Sequence, residues 1–116
     1  MYALALVRYR KPLEDVLQHV EAHRAYLRAL KDKGWLLASG LLEPRNGVAL
    51  FLCVPDDDVP GHLDRVRQDD PFVQAGAAQY EIYPWAPNIG KQDLDRIQLN
   101  RCVPQGRPGG ARAPDA

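Results

Sequence analysis

No sign of charge dominates this sequence: Lys plus Arg and Asp plus Glu number 15 each over 116 residues, for a formal net charge of zero. With no basic excess, and no basic stripe interleaved with aromatics, nucleic acid and anionic membranes are excluded as expected partners, because both are recognised through a cationic footprint. Cysteine is scarce. The two present, Cys53 and Cys102, cannot build the disulfide framework of a small secreted domain, and Cys53 lies in an apolar run where buried thiols are common. Both are read as reduced. No stretch approaches the roughly 20 consecutive apolar residues that span a bilayer, so no membrane is expected. Met1 to Tyr9 lacks the basic region and cleavage site of a secretory signal, and a cytoplasmic address is the expectation. A glycine-rich phosphate loop and a nucleophile elbow are also missing, which removes two common routes to catalysis.

What is present is periodicity. "YALALVRY" (Tyr2 to Tyr9) reads as a buried strand. After Lys11 and Pro12, the apolar positions Val16, Val20, Leu27 and Leu30 fall on one face of a helix predicted from Leu13 to Lys33, with Gly34 as its stop. "WLLAS" (Trp35 to Ser39) is a second strand ended by Gly40, "EPRNG" (Glu43 to Gly47) a turn, and "VALFLCV" (Val48 to Val54) the other arm of a hairpin. "PDDDVPG" supplies the cap of a second helix with the stripe Val59, Leu63 and Val66, which Pro71 halts near Asp69. "AAQYEIYPW" is a last strand ending at Pro84. The order β-α-β-β-α-β specifies a ferredoxin-like α+β domain, an antiparallel sheet with both helices on one face. One sheet face is then left bare, and a second copy of the chain is its expected cover, giving a homodimer. The domain is expected over residues 1–99, followed by a flexible tail at 100–116 that is rich in proline, glycine and arginine.

His23 interrupts the first helical stripe. An isolated histidine in such a place is ordinarily a neutral, hydrogen-bonded packing group. "DDPF" (Asp69 to Phe72) alters that balance, because a turn after the second helix can bring Asp70 to an imidazole on the first. A carboxylate favours the imidazolium while burial opposes it, and the competition suits a general acid or base. An aspartate before a proline also starts turns with no further role. Ser39 and Gly40 lie where the helix stripe passes strand 2 and, with Phe72, are candidate substrate contacts. Arg8 is a candidate anion clamp, although exposure to solvent is the commoner fate. His19, four residues before His23, forms no metal motif: Val20 stands where the zinc-protease pattern needs glutamate, and no third ligand follows. No metal or other cofactor is expected, and His62 is read as exposed and without a role.

With these residues assembled, the sequence resembles the YCII family of YciI-like proteins. The resemblance rests on His23 followed by "LRALKDKG" and "WLLASG", on "DDPF" with Ala75 and Gly76 beyond it, and on "YEIYPW". It covers Tyr2 to Pro87, and implies a ferredoxin-like domain pairing into a dimeric α/β barrel, with His23 and Asp70 as a catalytic dyad beside a pocket and Ser39 as a third polar member. The chemistry implied is cofactor-independent proton transfer on a small molecule, as in dehydrochlorinases of aromatic degradation or muconolactone isomerases. A non-catalytic dimeric module that binds a small molecule or a partner is the alternative. After Gly40, Leu41 and Leu42 replace a frequent family proline, so the pocket loop is expected to have a shape of its own.

Overall fold

Alternation along β1 (Tyr2–Tyr9) sorts its side chains onto two faces: Ala3, Ala5 and Val7 are fully buried, whereas Leu4 and Arg8 are exposed. The buried set turns toward the helices, and β1 occupies a central position in a four-stranded antiparallel sheet of order β2-β3-β1-β4. The partners are β2 (Leu36–Leu41), β3 (Gly47–Cys53) and β4 (Ala78–Trp85). The architecture is α+β and ferredoxin-like. It is seen in a computed structural model that describes residues Met1 to Cys102, so the expected tail lies outside the described residues from position 103 onward. The chain divides into a unit of Met1–Ala86 and a second unit that begins at Pro87.

The first helical region is two helices, α1 (Leu13–Leu17) and α2 (Val20–Asp32), rather than the single one expected from Leu13 to Lys33. At the junction the amides of Gln18 and His19 bond three residues back, to Asp15 and Val16, and this tightening breaks the α-helical ladder. His19 therefore caps α2 and sits half-buried at the break. The stop at Gly34 is a full Schellman motif. Gly34 adopts φ 89°, its amide bonds Lys31, and the amide of Trp35 bonds Leu30.

Two further helices, α3 (Val59–Asp69) and α4 (Pro71–Gln74), cover the same sheet face. Asp58 caps α3 by accepting from the amide of Gly61. The core between helices and sheet gathers Val16, Leu27, Leu30, Leu63, Val66 and Phe72 against Ala5, Val7, Leu50 and Leu52. Fully burying a side chain such as Phe72 contributes about 1.5–3 kcal/mol. β4 runs through Pro84, where the sequence reading ended it. It is an edge strand, so a residue with no amide hydrogen costs the ladder nothing there. A helix not assigned from sequence, α5 (Lys91–Cys102), belongs to the second unit. Among the described residues no helix is long and apolar enough to cross a membrane.

The other sheet face carries Tyr2, Leu4, Phe51, Tyr83 and Trp85, with Leu4 at 39 %, Tyr83 at 53 % and Trp85 at 38 % exposure. The rings of Tyr2 and Trp85 each lie 5.7 Å from that of Phe51. This face is aromatic and open to solvent in the single chain.

Candidate active site

Pro71 sets the geometry of the site. It forces the residue before it out of the helical region, so Asp70 takes an extended backbone (φ −72°, ψ 124°) that ends α3 and caps α4. As cap, Asp70 accepts from the amide of Phe72 through Oδ1 at 2.8 Å. The same carboxylate lies against α2, where His23 Nδ1 is 2.9 Å from Oδ1 and 3.1 Å from Oδ2. Tyr80, on β4, donates its hydroxyl to Oδ2 at 2.5 Å. A carboxylate that receives an amide, a hydroxyl and a ring nitrogen acts as acceptor throughout, so Nδ1 of a neutral His23 carries the proton and its lone pair resides on Nε2.

Both partners are inside the protein. His23 is 3 % exposed and Asp70 0 %. The imidazole lies flat on the ring of Phe72, with centroids 4.0 Å apart and planes 11° from parallel. Tyr9 meets Phe72 edge-on at 5.9 Å. Burial, then the nearby Asp70 charge, raises the Tyr80 hydroxyl well above the usual tyrosine value, and this keeps Tyr80 a donor. Tyr26 is shifted the same way, by burial first and then by Asp69 and Asp70, and its hydroxyl donates to the carbonyl of Val66 at 2.7 Å.

His23 Nε2 is buried and has no hydrogen-bond partner among the described residues. His23 is among the residues that line a cavity of about 140 Å³. Its floor is made of buried His23, Leu27, Val48 and Phe72, and its mouth of exposed Arg24, Ser39, Gly40, Leu41 and Arg45. Asp70 does not line it. Nε2 itself has almost no accessible surface, so the part of His23 that lines the cavity is made of other atoms of the residue.

A β-bulge brings Ser39 to this mouth. Leu36 pairs with Leu52, but Ala38 pairs with Phe51, so one extra residue shifts the register of β2 and puts Ser39 opposite Leu50 on the helix side. Without the bulge Ser39 would face away. Gly40 lies inside β2 rather than ending it, and a Cβ there would meet nothing within 4 Å.

The structure thus gathers His23, Asp70, Phe72, Ser39 and Gly40, with Phe72 as the platform beneath the imidazole. Arg8 is a correction. It projects from the opposite sheet face, where its Nε pairs with Glu81 at 2.8 Å, because even-numbered positions of β1 turn away from the helices. His62 is also corrected: it is largely buried, packs edge-on against Trp35 at 4.9 Å and bonds Asp57 at 2.9 Å. That bond, first among its causes, lowers the Asp57 carboxyl below the usual range. The sequence reading missed Tyr80, Arg24 and Arg45. Tyr80 was legible as an inward residue of the last strand, but its partner follows only from the β1–β4 register.

A ferredoxin-like sheet whose helix layer holds a carboxylate-bound imidazole at the wall of a small hollow defines the structural class. Within it the assignment is specific: residues 1–86 match the YCII-related domain, and the chain belongs to that family. Among solved structures it is similar to 5-chloro-2-hydroxyhydroquinone dehydrochlorinase (TftG) from Burkholderia phenoliruptrix AC1100 in complex with 2,5-dihydroxybenzoquinone. The TM-score is 0.64 at 21 % identity, covering 77 % of this chain and 97 % of the other. No curated protein matches.

Proposed function

We propose that this protein is a cofactor-independent lyase or isomerase that moves a proton on a small ring compound. The observation that carries the reading is the buried, unpartnered Nε2 of His23, a residue that lines the cavity, with Nδ1 held by Asp70; Nε2 meets a ligand after a small shift of the side chains that cover it. Leaving a buried polar atom unsatisfied costs about 1–3 kcal/mol, and a ligand proton or acceptor placed there offsets that cost. Nε2 takes a proton from the ligand as general base; the resulting imidazolium, steadied by Asp70, returns it at another atom or to a leaving group. Phe72 and Asp70 orient the ring, and Ser39 offers a hydroxyl at the mouth. A cavity of roughly 150 Å³ accommodates one benzene-sized ring, which agrees in scale with the ligand of the similar dehydrochlorinase.

The protein acts as a homodimer in this reading, with a second copy of the chain covering the aromatic sheet face. It works in the cytoplasm, where thiols stay reduced.

A second reading has an observation of its own. Asp70 ties α2, α4 and β4 together through His23, Phe72 and Tyr80, as a structural latch would. Such a latch would serve a non-catalytic binding module. Incubation in D2O with 5-chloro-2-hydroxyhydroquinone and related hydroxylated rings separates the two, with chloride release and deuterium uptake as readouts. Turnover by the wild type that vanishes in a folded His23→Gln variant supports the enzyme. Equal rates in both, or no exchange with any ring, leave the latch.

A further inference from the structure

We infer that the ligand of this cavity is a small planar ring bearing a carboxylate, with Arg45 and Arg24 at the mouth as the residues that select it. The inference rests on the reading that the cavity binds a small ring, and it adds the charge that this ring carries.

Size comes first. The cavity of about 140 Å³ is filled by a single six-membered ring, so any substituent larger than a hydroxyl projects through the mouth. The floor against which the ring packs is Leu27, Val48 and the stacked His23–Phe72 pair, which is apolar apart from the imidazole. The mouth is different in kind, with both Arg24 and Arg45 on it and, among the described residues, no carboxylate side chain lining the cavity.

The two arginines are not equivalent. Arg24 lies 3.5 Å from Glu21 across one turn of α2, a long contact between side chains 58 % and 80 % exposed, so most of its capacity to bond an anion remains. Arg45 has no ion-pair partner among the described residues. Its backbone is held in place: Asn46 bonds the carbonyl of Pro44 at 2.7 Å and accepts from the amide of Tyr9 at 3.0 Å, and Leu42 bonds Gly47 at 2.9 Å. A fixed turn next to the mouth carries a guanidinium whose planar fork matches a carboxylate in a bidentate pair.

The negative charge already at the site, that of Asp70, lies behind the imidazole and is occupied by three donors. A ligand carboxylate at the mouth therefore meets cations, while its ring packs on the floor that includes His23. The apolar floor and the arginines at the mouth fix which end of the ligand enters.

Calorimetric titration with benzoate, benzamide and benzylamine tests the inference without requiring turnover. Benzoate is expected to bind the wild type about tenfold or more tightly than benzamide, and benzylamine more weakly than either. Arg45→Gln should remove most of that preference, Arg45→Lys should restore part of it, and Arg24→Gln should have the smaller effect. In His23→Ala the preference for benzoate should persist. Equal binding of benzoate and benzamide, no binding of any of the three, or a preference indifferent to both arginines overturns the inference. Acid–base reading and inference fail separately: turnover of a neutral ring with benzoate excluded sinks only the carboxylate, whereas arginine-dependent benzoate binding by a protein without proton transfer sinks only the catalysis.

Discussion

The hydroxyl of Tyr80 and the carboxylate of Asp70 meet at 2.5 Å, so the acid that faces His23 on one helix is also tied to the edge strand of the sheet. Tyr80→Phe removes that donor and leaves a buried oxygen short of one bond. Urea denaturation should show a loss of about 1–3 kcal/mol.

Alkaline stability follows from the same hydroxyl. Folding raises the Tyr80 value above its ordinary one, so the folded protein keeps a proton that the unfolded chain loses near pH 10. The unfolded state then binds fewer protons, and stability is complete below that pH and declines as pH rises beyond it. Tyr26 contributes in the same direction. Urea midpoints measured between about pH 8 and 11 should fall more steeply in the wild type than in a Tyr26→Phe, Tyr80→Phe double variant.

Asp70→Asn tests the tautomer. Its oxygen at the Oδ1 position still accepts from the Phe72 amide and, at 2.9 Å, from His23 Nδ1, so Nδ1 keeps the proton. What is lost is the negative charge that would steady the imidazolium, and the amide nitrogen replaces the acceptor of the Tyr80 hydroxyl. 15N spectra of His23 at neutral pH should keep Nδ1 as the protonated ring nitrogen, and any turnover should fall by about 10²–10⁴.

Gly47 stands where the turn carrying Arg45 joins β3. A Cβ there would come within 2.2 Å of the Val7 carbonyl oxygen and 3.2 Å of Leu42 Cδ1, so Gly47→Ala forces the turn away from β1. Thermal melts should show a destabilisation of about 1–3 kcal/mol, and ligand binding at the mouth should weaken with it.

The aromatic outer face makes the proposed dimer testable. Tyr83 and Leu4 are opposite each other on β4 and β1, and both are exposed. Tyr83→Glu combined with Leu4→Glu puts charge on an apolar interface and should halve the mass seen by light scattering while circular dichroism stays unchanged. An unaltered mass would exclude this face as the dimer contact.

Local physics was legible in the chain. Alternation gave β1, a Schellman glycine stopped α2, and the proline after Asp70 ended α3, because each depends on residues adjacent in sequence. The misfit of His23 in an apolar stripe and the Asp-Pro turn were visible as well, as was the reason to pair them. The break at Gln18 and His19 was not legible, since a three-residue hydrogen bond carries no sequence signature there.

Tertiary structure alone decided the rest. Ser39 faces the cavity because a one-residue bulge pairs it with Leu50, 11 residues on, Tyr80 reaches Asp70 through the pairing of the last strand with the first, and Arg8 is sent to the far face by the parity of a sheet. By itself the sequence determined the four strands, the two main helical regions and which side chains are chemically odd. Register and handedness of packing, which no local pattern encodes, determined which of those side chains share a hollow and which positive charges stand at its mouth.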